Sequence, residues 1–197
     1  MNWNAPASRC LLDTLNSGGM RFVVGSPGSR NTPLVLASRN HDKMQLQMVL
    51  DERAAGFFAL GLARATRSPV GLVCTSGSAL SHYLPAIIEA SLTRAPLIVL
   101  SADRPASLKH SGAPQTIQQK GIFGDFVRWS AEGEAPDKQA SVRRWRSLGL
   151  QALSHALGGE PGPVHLNLAF DEPLWTPSPQ MGEDVRSGKW IPPQYLL

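Results

Sequence analysis

The sequence predicts an α/β protein in which helices cover both faces of a parallel sheet. Short apolar runs alternate along the chain with longer helical patterns, and this alternation is typical of βαβ units. The 197 residues suit one domain, and a hydrophobic content of 42% is enough to build its core. A charged content of only 17% excludes a solvated coil.

Strand and helix patterns follow one another regularly in the first half of the chain. The predicted strands are RFVVG, LQMVL, VGLVCT and PLIVLSA, at 21–25, 46–50, 70–75 and 96–102. The predicted helices are PASRCLLDTLNSGG, NTPLVLAS, DERAAGFFALGLARAT and SGSALSHYLPAIIEASLTR, at 6–19, 31–38, 51–66 and 76–94. Thr32 is the predicted N-cap of the second helix, with Pro33 in its first position. Pro85 must either kink the fourth helix or leave the Ser81 carbonyl unpaired.

The pattern loosens after Ala102. Residues 103–129 are loop-rich, with one short helix expected near Gln115–Lys120. A helix is predicted over 137–159, followed by a last strand, GPVHLNLAF, at 162–170. The apolar stripe of that helix is Val142, Trp145, Leu148, Ala152 and Ala156. From Asp171 onward the sequence is rich in Pro and Gly and has no period, so we expect 176–197 to be a linker or a weakly ordered tail.

Composition favours a soluble, cytoplasmic protein that binds neither nucleic acid nor membrane. The net charge is only +4 and the arginines are scattered, which argues against nucleic-acid binding. No secretory signal or apolar run long enough to span a membrane is visible. Cys10 and Cys74 are predicted to be buried free thiols, and no cysteine or histidine spacing points to a metal site in this chain.

Four polar turns are expected at one edge of the sheet, since each follows a predicted strand. They are Ser26–Arg30, Asp51–Arg53, Thr75–Ser78 and Ala102–Pro105. Ligands of open α/β sheets bind beyond the carboxyl ends of the strands, so four such turns suggest a site there. The turns alone leave open whether they bind a ligand or only cap helices.

Glu52 has two possible roles. A carboxylate in the first turn of a helix is favoured by the helix dipole. Gly56, Ala59 and Ala63 share its face, however, and small residues let another helix approach closely. Glu52 is therefore predicted to lie near a tight interface, where a carboxylate is suited to exchanging a proton with a ring nitrogen.

Five segments in this order resemble the N-terminal pyrimidine-binding (PYR) domain of the 2-succinyl-5-enolpyruvyl-6-hydroxy-3-cyclohexene-1-carboxylate synthase family. These segments are SPGSRNTPLVLA, DERAAGFFALGLA, CTSGSALSHYLPAIIEA, PLIVLSADRP and GAPQTIQQKGIFGDF. The resemblance covers about 4–175, so we assign 1–175 to a PYR-type thiamine diphosphate-binding domain. The family uses thiamine diphosphate in menaquinone biosynthesis, where it decarboxylates 2-oxoglutarate and adds the resulting carbanion to isochorismate.

The resemblance implies a role for each matching residue. Glu52 would be catalytic and would hydrogen-bond N1′ of the cofactor's aminopyrimidine, while Thr75, Ser76 and Gly77 would line the cofactor. The residues matching substrate-binding positions are Ser29, Arg30, Arg104 and Gln115. Pro114 stands where the family often has Asn, which puts a substrate contact in doubt.

The resemblance also implies parts that this sequence does not contain. In the family a C-terminal domain with a GDG…N motif holds Mg²⁺ and the diphosphate, and no such motif occurs here. The family's active site forms between two chains, which implies a homodimer or higher oligomer, and the isolated chain is expected to be inactive. Two alternatives stay open: the PYR domain of a related enzyme such as acetolactate synthase, or a non-catalytic module. Such a module could self-associate through the Glu52–Ala63 face or bind a carboxylate through Arg30 and Arg104.

Overall fold

All six strands of the computed structural model, which describes residues 2–109 and 111–176, run parallel in one sheet. The strands are β1 (Phe22–Gly25), β2 (Gln45–Met48), β3 (Val70–Cys74), β4 (Leu97–Asp103), β5 (Trp129–Gly133) and β6 (Val164–Ala169). The α-helices are α1 (Asn4–Ser17), α2 (Thr32–Arg39), α3 (Glu52–Thr66), α4 (Leu84–Thr93) and α5 (Gln139–Leu157). The strand order is β2-β1-β3-β4-β6-β5, which confirms the predicted fold class.

Helices cover both faces of this sheet, as predicted. One core lies between the sheet and α1, α2 and α5, and a second lies between the sheet and α3 and α4. Strands β3 and β4 are buried along their whole length because apolar side chains cover both of their faces. None of the helices in the described part of the chain is long and apolar enough to cross a membrane.

The chain reverses its direction of travel across the sheet between β1 and β3. In such sheets a crevice forms where the strand order reverses, because the loops after the two neighbouring strands lead to helices on opposite faces of the sheet. Ser26 N–H donates to the Val73 carbonyl at 3.0 Å and extends the pairing of β1 with β3 to the carboxyl edge. The loops after β1 and β3 therefore leave the sheet side by side.

The predicted helix at 76–94 is two helices. Gly77–Tyr83 forms a 3-10 helix, and α4 begins only at Leu84. Pro85 thus lies in the first turn of α4, where its missing N–H would have had no partner within the helix. The Ser81 carbonyl accepts the Leu84 N–H and is therefore not left unpaired; the predicted helix instead divides directly before Pro85.

Two further helix predictions are corrected. Asn31, not Thr32, is the N-cap of α2, and its side chain donates to the Ser26 carbonyl at 2.8 Å instead of capping the helix. Residues 115–120 form no helix. Gln115 has a φ of 58°, in the left-handed region, and its side chain bonds the backbone of another loop rather than that of its own segment.

Strand β5 was missing from the predicted elements. Half-buried and exposed residues alternate along it as far as the buried Gly133, and it lies at the edge of the sheet beside β6. The long helix after it has the predicted stripe facing the core, with Trp145, Ala152 and Ala156 buried. Cys74 is buried as predicted, but Cys10 is only half-buried, and both are free thiols.

The residues that follow β6 are attached to the first helix. Asn4 Nδ2 donates to the Asp171 carbonyl at 2.8 Å and to the Pro173 carbonyl at 3.1 Å. The segment that follows Asp171 is therefore anchored to α1 at Asp171 and Pro173, although its sequence has no period. The predicted linker or tail at 176–197 lies, except for its first residue, outside the described residues and stays a prediction.

Candidate active site at the β1–β3 crevice

The loop after β1 packs directly on the end of β3. A Cβ atom at Gly28 would lie 2.3 Å from Thr75 Cβ, so only glycine permits this approach. The Thr75 hydroxyl is buried and has no hydrogen-bond partner among the described residues. A buried hydroxyl without a partner is costly in a folded protein, and a ligand in the crevice is one way to satisfy it.

Glu52 begins α3 at this crevice. Asp51 caps the helix by accepting the Arg53 N–H at 2.8 Å and the Ala54 N–H at 3.3 Å. The Arg53 guanidinium also binds the Asp51 carboxylate, and these bonds hold the pKa of Asp51 well below its usual range. Burial raises the pKa of the Cys74 thiol, and the charge of Glu52 raises it further. The half-buried Glu52 carboxylate is therefore close enough to Cys74, the last residue of β3, for its charge to affect that thiol.

The small-residue stripe below Glu52 is covered within the chain. A Cβ at Gly56 would lie 2.9 Å from Ala86 Cβ and 3.5 Å from Tyr83 Cδ1. Ala59 and Ala63 are buried in the same core. The predicted tight helix interface is confirmed, but it is internal, so the stripe does not supply the surface for self-association that we considered.

The loop after β3 is linked to two other loops. The Ser76 hydroxyl accepts a hydrogen bond from Arg104 Nη1, and the Ser76 carbonyl accepts one from Gln115 Nε2 at 3.1 Å. Gly77 has a φ of 87°, and its N–H donates to Gln119 Oε1 at 2.8 Å. The Gly77 amide is thus occupied by the Gln119 side chain.

Arg30 is buried at the crevice, although arginine is rarely buried without pairing. Its Nη1 donates to the Phe170 carbonyl at 3.0 Å, and its Nη2 donates to Glu172 Oε1 at 3.2 Å. Its Nε is buried without a partner among the described residues. Ser29, next to it, is exposed, and its carbonyl accepts the Thr32 N–H at 3.1 Å.

Arg104 reaches the same region from β4. Its Nη1 also donates to the Gln115 carbonyl at 2.9 Å. Burial lowers the pKa of Arg104 and the charge of Arg30 lowers it further, while Asp103 and Glu172 oppose them. Arg30 therefore lies near enough for its charge to act on Arg104. The Asp103 carboxylate accepts the backbone N–H of Arg104 at 2.8 Å, and its ion pair is with Lys109 rather than with the neighbouring guanidinium.

The structure therefore joins some of the predicted site residues closely. Ser76, Arg104 and Gln115 form one hydrogen-bonded cluster, and Arg30 interacts with Arg104 electrostatically. Gln115 is exposed and takes part through both its backbone carbonyl and its side-chain amide. Pro114, also exposed, provides no side-chain donor at this position.

Gln119 is a residue that the motifs did not single out. Besides accepting the Gly77 N–H, its Nε2 donates to Asn167 Oδ1 at 2.7 Å and to the Ala102 carbonyl at 3.1 Å. Gln119 is almost fully buried and ties the loop after β3 to the ends of β4 and β6. Only the glutamine-rich run QTIQQ could have drawn attention to it, and nothing in that run distinguishes Gln119 from Gln118.

The crevice combines a half-buried carboxylate, an unpartnered buried hydroxyl and two interacting arginines at the carboxyl edge of a parallel sheet. Comparison with known families agrees with this arrangement. The profile of the family described as "Thiamine pyrophosphate enzyme, N-terminal TPP binding domain" matches residues 6–122, more than half of the chain. The chain belongs to this family.

Individual relatives point to one synthase. The chain is 50% identical over 185 residues to a 2-succinyl-5-enolpyruvyl-6-hydroxy-3-cyclohexene-1-carboxylate synthase of Roseiflexus sp. (strain RS-1), covering 92% of this chain and 32% of that protein. Enzymes with the same name from Thermobifida fusca and Haloarcula marismortui are 48% and 46% identical, over 88% and 95% of this chain and 32% and 31% of theirs. These similarities confirm the resemblance in the sequence motifs. The chain spans about a third of the length of these curated relatives.

Proposed function

We propose that this chain is the PYR domain of a thiamine diphosphate-dependent synthase that acts in the cytoplasm. Its reaction joins 2-oxoglutarate, after decarboxylation, to isochorismate. Residues 1–175 form the domain, with Glu52 as the catalytic group. The observation that carries this proposal is the half-buried Glu52 at the start of α3, whose charge reaches the end of β3. The name shared by the relatives supports the choice of reaction.

The residues of the crevice fit the aminopyrimidine ring of the cofactor. Thiamine diphosphate, when bound, supplies a carbon nucleophile and an electron sink for decarboxylation. Glu52 would hold a proton at the ring nitrogen N1′, because a carboxyl group partly withdrawn from water shares a proton strongly with such a nitrogen. Thr75, Ser76 and Gly77 would border the ring, and the Thr75 hydroxyl, which has no partner among the described residues, would be available to it. Close contact of Gly28 with Thr75 keeps this wall of the crevice fixed.

The arginines of the crevice bind the substrates. Both 2-oxoglutarate and isochorismate carry carboxylates, and the planar guanidinium group of arginine matches a carboxylate with two parallel hydrogen bonds. Arg30 and Arg104 provide this group, with Ser29 and Gln115 at the rim. Burial of Arg30 strengthens its attraction for an anion, since water screens the charge less.

The chain needs two partners for turnover. Mg²⁺ and the diphosphate are held mainly by a further domain, and the active site forms between two chains of a homodimer or higher oligomer. Exposed apolar side chains on and before α3, namely Leu50, Phe57 and Phe58, support a self-association surface beside Glu52. We propose these residues as the self-association surface instead of the small-residue stripe, because the stripe is buried within the chain.

A complementation assay tests this proposal. The chain is mixed with the remaining domains of a relative, and decarboxylation of 2-oxoglutarate and product formation with isochorismate are followed. Glu52→Gln should abolish turnover, since the amide cannot hold the proton, while the urea unfolding midpoint stays unchanged. Glu89→Gln, at an exposed position on α4, removes the same charge and should retain full rate. Full rate with Glu52→Gln would refute the catalytic assignment.

A further inference from the structure

Arg30 is already paired with a carboxylate from its own chain. Its Nη2 lies 3.2 Å from Glu172 Oε1, while its Nη1 is used by the Phe170 carbonyl. The Arg30 side chain is 8% exposed and that of Glu172 is 72% exposed. The arginine is therefore fixed inside the protein, whereas the carboxylate approaches it from the solvent side.

Glu172 also acts on the second arginine of the crevice. Its negative charge opposes the influence of Arg30 on Arg104. Asp103 also opposes this influence, but it is buried and pairs with Lys109 at 3.3 Å. The exposed Glu172 carboxylate counters both guanidinium groups, as the carboxylate of an anionic ligand would. Because Arg30 and Arg104 repel each other, removal of Glu172 leaves the crevice more positively charged.

Hydrogen bonds hold the backbone around Glu172, whereas its exposed carboxylate contacts Arg30. Asn4 Nδ2 donates to the carbonyls of Asp171 and Pro173, and the Glu172 N–H donates to Asp171 Oδ1 at 2.8 Å. Only rotation about side-chain bonds is needed to withdraw the exposed carboxylate from Arg30. The pair can therefore open without unfolding the segment.

We propose that Glu172 is a specificity-determining residue that occupies the carboxylate position of the crevice until a ligand displaces it. This inference rests on the proposed function, in which Arg30 and Arg104 bind substrate carboxylates. Glu172 reduces the positive charge that a ligand meets, so it weakens the binding of every anion and disfavours a dianion most. A ligand that brings a well-placed carboxylate gains the bond that Glu172 gives up, whereas a ligand without one leaves the internal pair intact.

Glu172→Gln tests this inference because it removes the charge and keeps the shape. The dissociation constants of 2-oxoglutarate and of 2-oxopentanoate, which lacks the distal carboxylate, are measured by NMR titration of the 197-residue chain. We expect Glu172→Gln to bind 2-oxoglutarate about three- to fivefold more tightly than the unmodified chain, the range expected from breaking an exposed ion pair. The gain for 2-oxopentanoate should be smaller, and both gains should shrink with added salt because the effect is electrostatic.

Glu160→Gln is the matched control. Glu160 pairs with Arg94 at 3.4 Å, and its side chain is 73% exposed, close to the value for Glu172, but it precedes β6 and so belongs to the opposite edge of the sheet. This variant changes the net charge equally and should leave both dissociation constants unchanged. Equal affinities for Glu172→Gln and Glu160→Gln would overturn the inference, as would undetectable binding to every variant.

Failure of the inference can be told apart from failure of the proposed function. If Arg104→Gln weakens 2-oxoglutarate binding while Glu172→Gln has no effect, the arginine site stands and the role of Glu172 is refuted. The Glu52→Gln complementation assay decides the proposed function separately, since it measures turnover and not carboxylate affinity in the isolated chain.

Discussion

Replacing Gln119 by methionine should destabilise the protein by about 2–4 kcal/mol. The change removes three hydrogen bonds: from the Gly77 N–H, to the Ala102 carbonyl and to Asn167 Oδ1. The Gly77 amide contributes most, because leaving one buried donor without a partner costs about 1–3 kcal/mol. Asn167 Oδ1 still accepts a hydrogen bond from the Ser101 hydroxyl, so losing the bond from Gln119 costs less free energy at this atom. Methionine fills a similar volume, so creation of a cavity adds little.

Urea unfolding, followed by tryptophan fluorescence, measures this cost. The midpoint should fall while the slope with denaturant stays the same, since the surface exposed on unfolding does not change. Gln118→Met is the matched control, because Gln118 is exposed beside the same loop, and its midpoint should not move. A Gln119→Met protein within about 0.5 kcal/mol of the unmodified chain would show that the three bonds do not hold the loops together.

Two further predictions concern glycine packing and pH. Gly28→Ala should destabilise the chain by about 1–3 kcal/mol because the new Cβ would overlap Thr75, whereas Gly61→Ala should stabilise it by about 0.5–1 kcal/mol, since nothing lies within 4 Å of that position. Equal unfolding midpoints for these two alanine variants would contradict the packing argument. Burial lowers the pKa of His165 to about 4. The unfolded chain, with a histidine pKa of about 6.5, therefore binds this proton more readily, and the free energy of unfolding should fall by up to about 3 kcal/mol as the pH drops from about 6.5 to about 4. His165→Gln should lack this part of the pH dependence, and an unchanged slope in that variant would refute the assignment.

The parallel sheet could be predicted because its central strands are nearly continuous apolar runs. β3 and β4 are buried on both faces, so their sequences VGLVC and LIVLSAD stand out. β5 could not be recognised in the same way. Only one face of WSAEG is covered, and its assignment depends on pairing with β6, which the local sequence does not encode.

The sequence predicted only those residues of the candidate site that lie in short motifs directly after strands. The turns with Arg30, Glu52 and Arg104 follow strands in the sequence, so their convergence at one edge follows from the fold class. Glu172 lies 142 residues from its partner Arg30, and its role depends on a contact that no short pattern reveals. Gln119 was missed for the same reason, since its three partners lie on other segments.

The attachment of the segment after β6 to α1 has a practical consequence for anyone handling this protein. Asn4, whose side chain holds the backbone on both sides of Glu172, is separated from the amino terminus by only a few residues. Residues added before Asn4 therefore lie close in the sequence to the side chain that positions the backbone around Glu172. Carboxylate affinities measured on amino-terminally tagged protein should therefore be compared with those of material from which the tag has been cleaved.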